Sequence, residues 1–256
     1  MRSLVNIKLE VADTPKTVKL FLENAYLKEY TCRVLKIIRD RGSRAYIVLD
    51  KSIFHPRGGG QPSDLGIIMK GAKKFEVRKV LEINGVLVHY GKLIGSNFTN
   101  GELVKCILNW KLRYSIMRFH TAGHILDYAL MKVYGRTVNT LDAFHGPPTA
   151  YIHYEGKMPT EEKINEIEAA ANEIVAKRIP VKIKYVNREN LYDFAFNAPN
   201  LNRLPKSNKY RIVIIENVNG IPCTGTHVAN TGEIGRIIVS KCERTEAGFK
   251  LNYIVE

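Results

Sequence analysis

The sequence predicts an α+β protein in two parts, residues 1–109 rich in β-structure and residues 110–256 built of helices and strands. Three observations carry this: short β-prone runs alternating with turns at the start, two stretches of helical periodicity in the middle, and further β-branched runs towards the end. At 256 residues the chain is long enough to bury a full core in two modest domains.

In the first part, RVLKIIRD (33–40), AYIVLD (45–50), GIIMK (66–70), FEVRKVLEI (75–83) and VLVHYGK (86–92) read as strands, with Asn84-Gly85 as the turn between the last two. They form a small antiparallel sheet or barrel. Gly58, Gly59, Gly60, Gln61, Pro62 and Ser63 interrupt the pattern with backbone-permissive residues that no helix absorbs, so this stretch is a shaped loop.

A helix is predicted from Leu112 to Tyr134, with Ile116, Phe119, Leu126, Leu130 and Val133 on one stripe and Gly135 as its stop. A second runs from about Thr160 to Arg178, with Glu161 and Glu162 in its first turn and Ile164, Ile167, Ala171 and Ile174 facing inward. Strands are then expected at 181–186, 211–218, 233–242 and 249–256. There is no internal repeat.

Hydrophobic residues make up 45% of the chain without an uninterrupted apolar run long enough to span a bilayer, and the first residues lack a signal-peptide pattern. A soluble cytoplasmic protein without membrane association is expected. Cys32, Cys106, Cys223 and Cys242 are far apart in sequence, which suits a reducing compartment better than a disulfide scaffold. The net charge of +14, from 39 basic and 25 acidic residues, points to a polyanionic partner as readily as to plain solubility.

The chemistry concentrates in two short segments. His120 and His124 are four apart on the expected helix, which brings their side chains to one face about 6 Å apart, near enough to share a metal ion. Their stripe lies roughly a third of a turn from the apolar one, so they are expected on the rim of the core. In PCTGTHV, Cys223 and His227 are again four apart, in a turn between two strands. One thiolate and three imidazoles form a donor set suited to zinc, one ion per chain. HTAGH is no zinc-peptidase motif, because Thr121 stands where HExxH needs its glutamate. The glycine loop lacks the Lys and Ser/Thr of a P-loop, which argues against a nucleotide cofactor.

HTAGH followed about a hundred residues later by PCTGTHVANTGEIGRI resembles the editing domain of alanyl-tRNA synthetases and their free-standing relatives, the AlaX family. FHPRGGGQPSDLG (54–66) and LFLENAYLKEYTCRVLKI (20–37) resemble the preceding domain of the medium-length AlaX proteins, so the resemblance covers Thr17 to Glu256. It implies a β-barrel domain followed by an editing domain whose helices pack on an antiparallel sheet. It also implies a hydrolase that clears serine or glycine from mischarged tRNA-Ala, acting in trans without an aminoacylation domain. The family's metal and catalytic positions fall on His120, His124, Cys223 and His227, and its glycine motif on Gly58, Gly59, Gly60 and Gln61; bare backbone N–H groups there could cradle a phosphate or approach the aminoacyl end, and a tight packing turn is the equal alternative. Thr140, with Asn139 beside it, matches the residue that recognises the serine hydroxyl.

Two departures stand out: Thr224 replaces a usual Gly, and GFKLNYIVE replaces a basic C-terminal pattern. Two readings compete with this one, a non-catalytic zinc-containing tRNA-binding module and an editing enzyme for another mischarged tRNA.

Overall fold

The computed structural model describes residues 6–256. These form two compact units, one comprising residues up to Gly58 together with Pro62–Arg113, the other Gly59–Gln61 together with Tyr114–Glu256. No helix among the described residues is long and apolar enough to cross a membrane.

The first unit is a closed antiparallel barrel of six strands, β1 (Glu29–Arg39), β2 (Arg44–Leu49), β3 (Gly66–Lys70), β4 (Lys73–Ile83), β5 (Val86–Ile94) and β6 (Leu103–Leu108). Around the barrel the order is β1-β2-β5-β4-β3-β6, with β6 closing on β1. Closure removes the free edges at which an open sheet would pair with other chains. Asn84 and Gly85 both take positive φ (51° and 86°), the backbone a two-residue hairpin needs, and they fix the β4–β5 register from Ile83 opposite Val86. Inside lie Val34, Ile47, Leu49, Phe54, Phe75 and Leu87 among others, all buried. The β6 strand has no counterpart among the predicted runs.

A serine–histidine pair sits in this interior. His89 Nδ1 lies 3.0 Å from the Ile47 carbonyl and so carries the proton, leaving Nε2 to accept from the Ser52 hydroxyl at 2.8 Å. Both side chains are wholly enclosed, so the pair satisfies buried polar groups and has no catalytic use.

The second unit contains α1 (Trp110–Tyr134, from Tyr114 on), β7 (Thr140–Phe144), β8 (Ala150–Glu155), α2 (Glu161–Ala176), β9 (Val181–Asn187), β10 (Lys209–Ile215), β11 (Asn219–Pro222), β12 (Ile237–Arg244) and β13 (Gly248–Val255). Its strands form two antiparallel sheets, β12-β13-β8-β7 and β9-β10-β11. The α+β expectation holds, with a barrel first and helices accompanying antiparallel sheets after it.

The helices end where their caps dictate. Asn109 Oδ1 accepts from the Leu112 amide, so α1 begins two residues before the expected start, and Gly135 ends it at φ 70°. Thr160 caps α2, which stops at Ala176 because Arg178 takes a left-handed φ of 52°. The strand expected over 233–242 starts only at Ile237: Asn230 and Glu233 form a capping box that winds Thr231–Ile234 into a 3₁₀ turn. β7 and β8 were not expected from the sequence.

Burial pushes the His89 imidazole down to about 4. The unfolded chain protonates this residue near 6.5, so its contribution to stability is complete above 6.5 and is lost as pH falls towards 4, by about 1.4 kcal/mol per unit. NMR titration is expected to find His89 neutral, as the Nδ1–H tautomer, at pH 5.5. A folded-state midpoint near 6.5 would contradict a dry barrel interior.

Candidate metal centre and its pocket

Two elements of the second unit supply four donors to one point. His120 and His124 project from consecutive turns of α1, and Cys223 and His227 come from the segment that leaves β11 at Pro222. Their ligand atoms all lie within 4.8 Å of one another. Cys223 Sγ is 3.5 Å from both His120 Nε2 and His227 Nε2, close to the roughly 3.5 Å edge of a tetrahedron with metal–nitrogen distances of about 2.0 Å and a metal–sulfur distance of about 2.3 Å. Cys223 thus stands from His120 and His227 at the separation a zinc-sized ion requires, and the whole set is compact enough to close on one ion.

The expectation that the two histidines lie on the rim is corrected: His120 is 2% and His124 5% exposed. From Ile116 to Leu126 the helix is buried almost all round. The sheet residue Tyr253 packs on Phe119 on one side, and the His227–Val228 segment contacts Thr121 on another. A helix covered on several sides has no single apolar stripe from which a rim can be measured.

Hydrogen bonding decides which ring nitrogen each histidine presents. The Thr121 hydroxyl donates to the Met117 carbonyl at 2.8 Å and accepts from the Val228 amide at 3.2 Å, so its remaining lone pair can only accept from His227 Nδ1–H at 3.1 Å. His227 Nε2 therefore carries the lone pair and faces Cys223 Sγ at 3.5 Å. On His120 the same is done by Gln61: its Oε1 accepts from the Thr226 amide at 2.9 Å and its Nε2 donates to the Thr226 hydroxyl at 2.9 Å, which fixes the amide orientation. His120 Nδ1–H therefore donates to Gln61 Oε1 at 2.9 Å, and Nε2 carries the lone pair. His124 Nδ1 is a buried nitrogen with no hydrogen-bond partner among the described residues.

Electrostatics keep the set ready to ligate. Burial, helped by His145 and Arg211, pushes the His124 imidazole down to about 3, so it is neutral at physiological pH. Burial pushes the Cys223 thiol up against the opposing influence of the Gly225 amide and Arg211. The thiol keeps its proton until a metal displaces it. Arg211, buried beside the pocket, donates to the Cys223 and Gly225 carbonyls at 2.7 and 3.1 Å and holds the loop in shape.

Glycine is required where backbone meets these rings. A β-carbon at Gly225 would overlap the His120 ring, whereas Thr224 is exposed and lines the pocket, so the departure at 224 leaves the ligand packing untouched. Gly60, at φ 74°, brings its carbonyl 2.8 Å from the His145 amide, and a β-carbon there would sit 2.9 Å from the His145 ring.

His120, His124 and Cys223 open onto a cavity of about 710 Å³ lined also by Gly59, Gly60, Thr140, His145, Asn200 and Thr224, while His227 lies behind them outside its lining. Gly58 is not part of its lining, and Gln61, buried behind His120, supports a ligand and does not face the cavity. Thr140 lines the cavity. Asn139 does not; its side chain is turned to Glu155 and to the backbone of Asn200. Asn200 Nδ2 donates to Thr140 Oγ1 at 2.6 Å, which leaves the threonine O–H free to donate into the cavity.

Sequence reasoning passed over four residues here. Thr121 was read only as a missing glutamate, and Asn200, Asp127 and His145 carry no motif. His145 stacks on His120 with ring centroids 4.7 Å apart. Its Nδ1–H donates to the Tyr253 hydroxyl at 2.7 Å, since that hydroxyl itself donates to the Phe119 carbonyl.

Comparison with known proteins points to one family. The family model described as tRNA synthetases class II (A) matches residues 17–112, and that described as the threonyl and alanyl tRNA synthetase second additional domain matches residues 210–249. The alanine–tRNA ligase of Methanococcus vannielii is 37% identical over 252 residues, 96% of this chain and 27% of that protein. That of Saccharolobus islandicus is 34% identical over 245 residues, covering 93% of the chain and 26% of the relative. The Ignicoccus hospitalis enzyme is 32% identical over 235 residues, 91% and 25% respectively. The chain spans about a quarter of the length of these curated relatives.

Because Gln61 fixes the His120 tautomer from behind, Gln61→Ala is expected to weaken zinc affinity by about 10- to 100-fold in chelator competition, whereas Thr140→Val leaves it unchanged. Equal affinities for wild type and Gln61→Ala would remove Gln61 from the ligand support.

Proposed function

The chain belongs to the family of alanyl-tRNA synthetase editing regions and AlaX proteins, and from that premise we propose that it hydrolyses the aminoacyl ester of tRNA-Ala mischarged with serine or glycine. The observation that carries this reading is a cluster of four metal donors, with the proton positions of two imidazoles fixed, three of which line a cavity that Thr140 also lines. In this reading His120, His124, Cys223 and His227 hold one zinc ion. When bound, zinc supplies a Lewis acid for the ester carbonyl and lowers the pKa of water beside it.

The remaining work falls to the chain's own groups. No serine nucleophile is needed, and Cys223 serves as a ligand. Neutral His145 and the enclosed ligand rings limit access of bulk water, which strengthens polar interactions within the cavity. Thr140, held by Asn200, donates to the serine hydroxyl. With alanine in its place that O–H stays unpaired in a partly buried site, which disfavours the correct product. Glycine, lacking the methyl group, leaves room for a water molecule to accept from that hydroxyl in place of the substrate. The basic surplus of the chain would hold tRNA phosphates, in the cytoplasm where charged tRNA is used.

A panel of tRNA-Ala charged with serine, glycine or alanine, with threonyl- and prolyl-tRNA added, tests this. Rapid zinc-dependent release of serine and glycine is expected, with alanine spared. His124→Ala should lose at least about 100-fold in kcat/KM. Thr140→Val should narrow the serine-over-alanine preference by about 10-fold or more, because the hydroxyl contact is gone. Full activity of His124→Ala, or turnover only of another pair, would overturn the assignment.

A further inference from the structure

One carboxylate in this cavity has no role so far. Asp127 lies one turn beyond His124 on α1, partly buried, and lines the same cavity as the metal donors and Thr140. The Tyr154 hydroxyl donates to its Oδ1 at 2.8 Å, and among the described residues no lysine or arginine pairs with it. Burial raises its carboxyl to about 7, with the Tyr154 hydrogen bond opposing. A carboxylate taken from water without a counter-cation is costly, and one that lines a cavity is placed to take a cation supplied by a ligand. The other carboxylate of the lining, Asp142, is exposed and occupied by the Tyr151 hydroxyl.

The substrate class reached above brings that cation: an aminoacyl ester carries an ammonium on the carbon next to the reacting carbonyl. We propose that Asp127 receives the α-ammonium group of the aminoacyl ester. The inference rests on the editing reading and extends it. Residues three apart on a helix have Cβ atoms about 5–6 Å from each other, so Asp127 projects from the same side of α1 as His124, next to it. Tyr154, which holds Asp127, faces Thr140 directly across the β7–β8 pairing. Thr140 and Asp127 therefore flank one end of the cavity, and the hydroxyl and ammonium of a serine ester, on adjacent carbons, match two such groups.

A division of labour follows. Thr140 reads the side chain, while Asp127 reads a group common to every aminoacyl ester and missing from N-blocked ones. The site consequently spares N-acylated esters, the chemical class of peptidyl-tRNA.

The test compares kcat/KM for Ser-tRNA-Ala and N-acetyl-Ser-tRNA-Ala with wild type, Asp127→Asn and Thr140→Val, all zinc-loaded and checked for unchanged melting. Wild type is expected to prefer the free amine by about 100-fold or more. The isosteric Asp127→Asn keeps the Tyr154 contact, loses about 10- to 100-fold on the free amine and is unchanged on the blocked ester, so the preference collapses. Thr140→Val retains it. If Asp127→Asn slows both substrates alike, or wild type shows no preference, the ammonium assignment is wrong while editing stands. Absence of turnover of either ester by wild type overturns both.

Discussion

The site depends on hydrogen-bond saturation at two side chains that touch no substrate. The Thr121 hydroxyl has one proton and two lone pairs, and all three are engaged, by Met117, Val228 and His227. Gln61 is held by two bonds to Thr226 and offers His120 only an acceptor. With no choice of partner left, both imidazoles must carry their protons on Nδ1 and present Nε2. A neutral histidine free to exchange tautomers would present a lone pair only part of the time. Here the choice is made before a metal arrives, and ligand orientation is a property of the fold.

The backbone around these rings is shaped for contact at short range. Gly225 lies against His120, Gly60 and Gly123 lie against His145, and none could carry a side chain without displacing a ring. Asn219 anchors the same helix by donating to the His124 carbonyl at 2.7 Å. Arg211 supplies the positive charge that steadies the Cys223 loop and disfavours protonation of His124. In the proposed reading, rigid placement of this kind leaves selectivity to residues that line the cavity, Thr140 held by Asn200 and Asp127 held by Tyr154.

Much of the cluster was legible because side chains that could share one ion must recur at short spacing. His120 with His124, and Cys223 with His227, are pairs that sequence alone can connect, and the Asn84-Gly85 turn announced its hairpin through backbone chemistry. What stayed hidden depends on partners distant in sequence. His145 becomes informative only when β8 and β13 bring Tyr253 to it, and Asp127 only when Tyr154 folds over it. The rim placement of the histidines failed because helical periodicity reports one apolar partner, and α1 has several. The late start of β12 came from a capping box whose Asn230 and Glu233 look, in a string of letters, like the approach to a strand.

The central claim is that these four side chains are joint ligands of one ion, oriented by Thr121 and Gln61. X-ray absorption at the zinc edge of the loaded protein tests it most directly. One sulfur scatterer near 2.3 Å and imidazole nitrogens near 2.0 Å are predicted, with the sulfur signal lost in Cys223→Ser. A first shell of oxygen alone, or a spectrum unchanged by Cys223→Ser, would contradict the account.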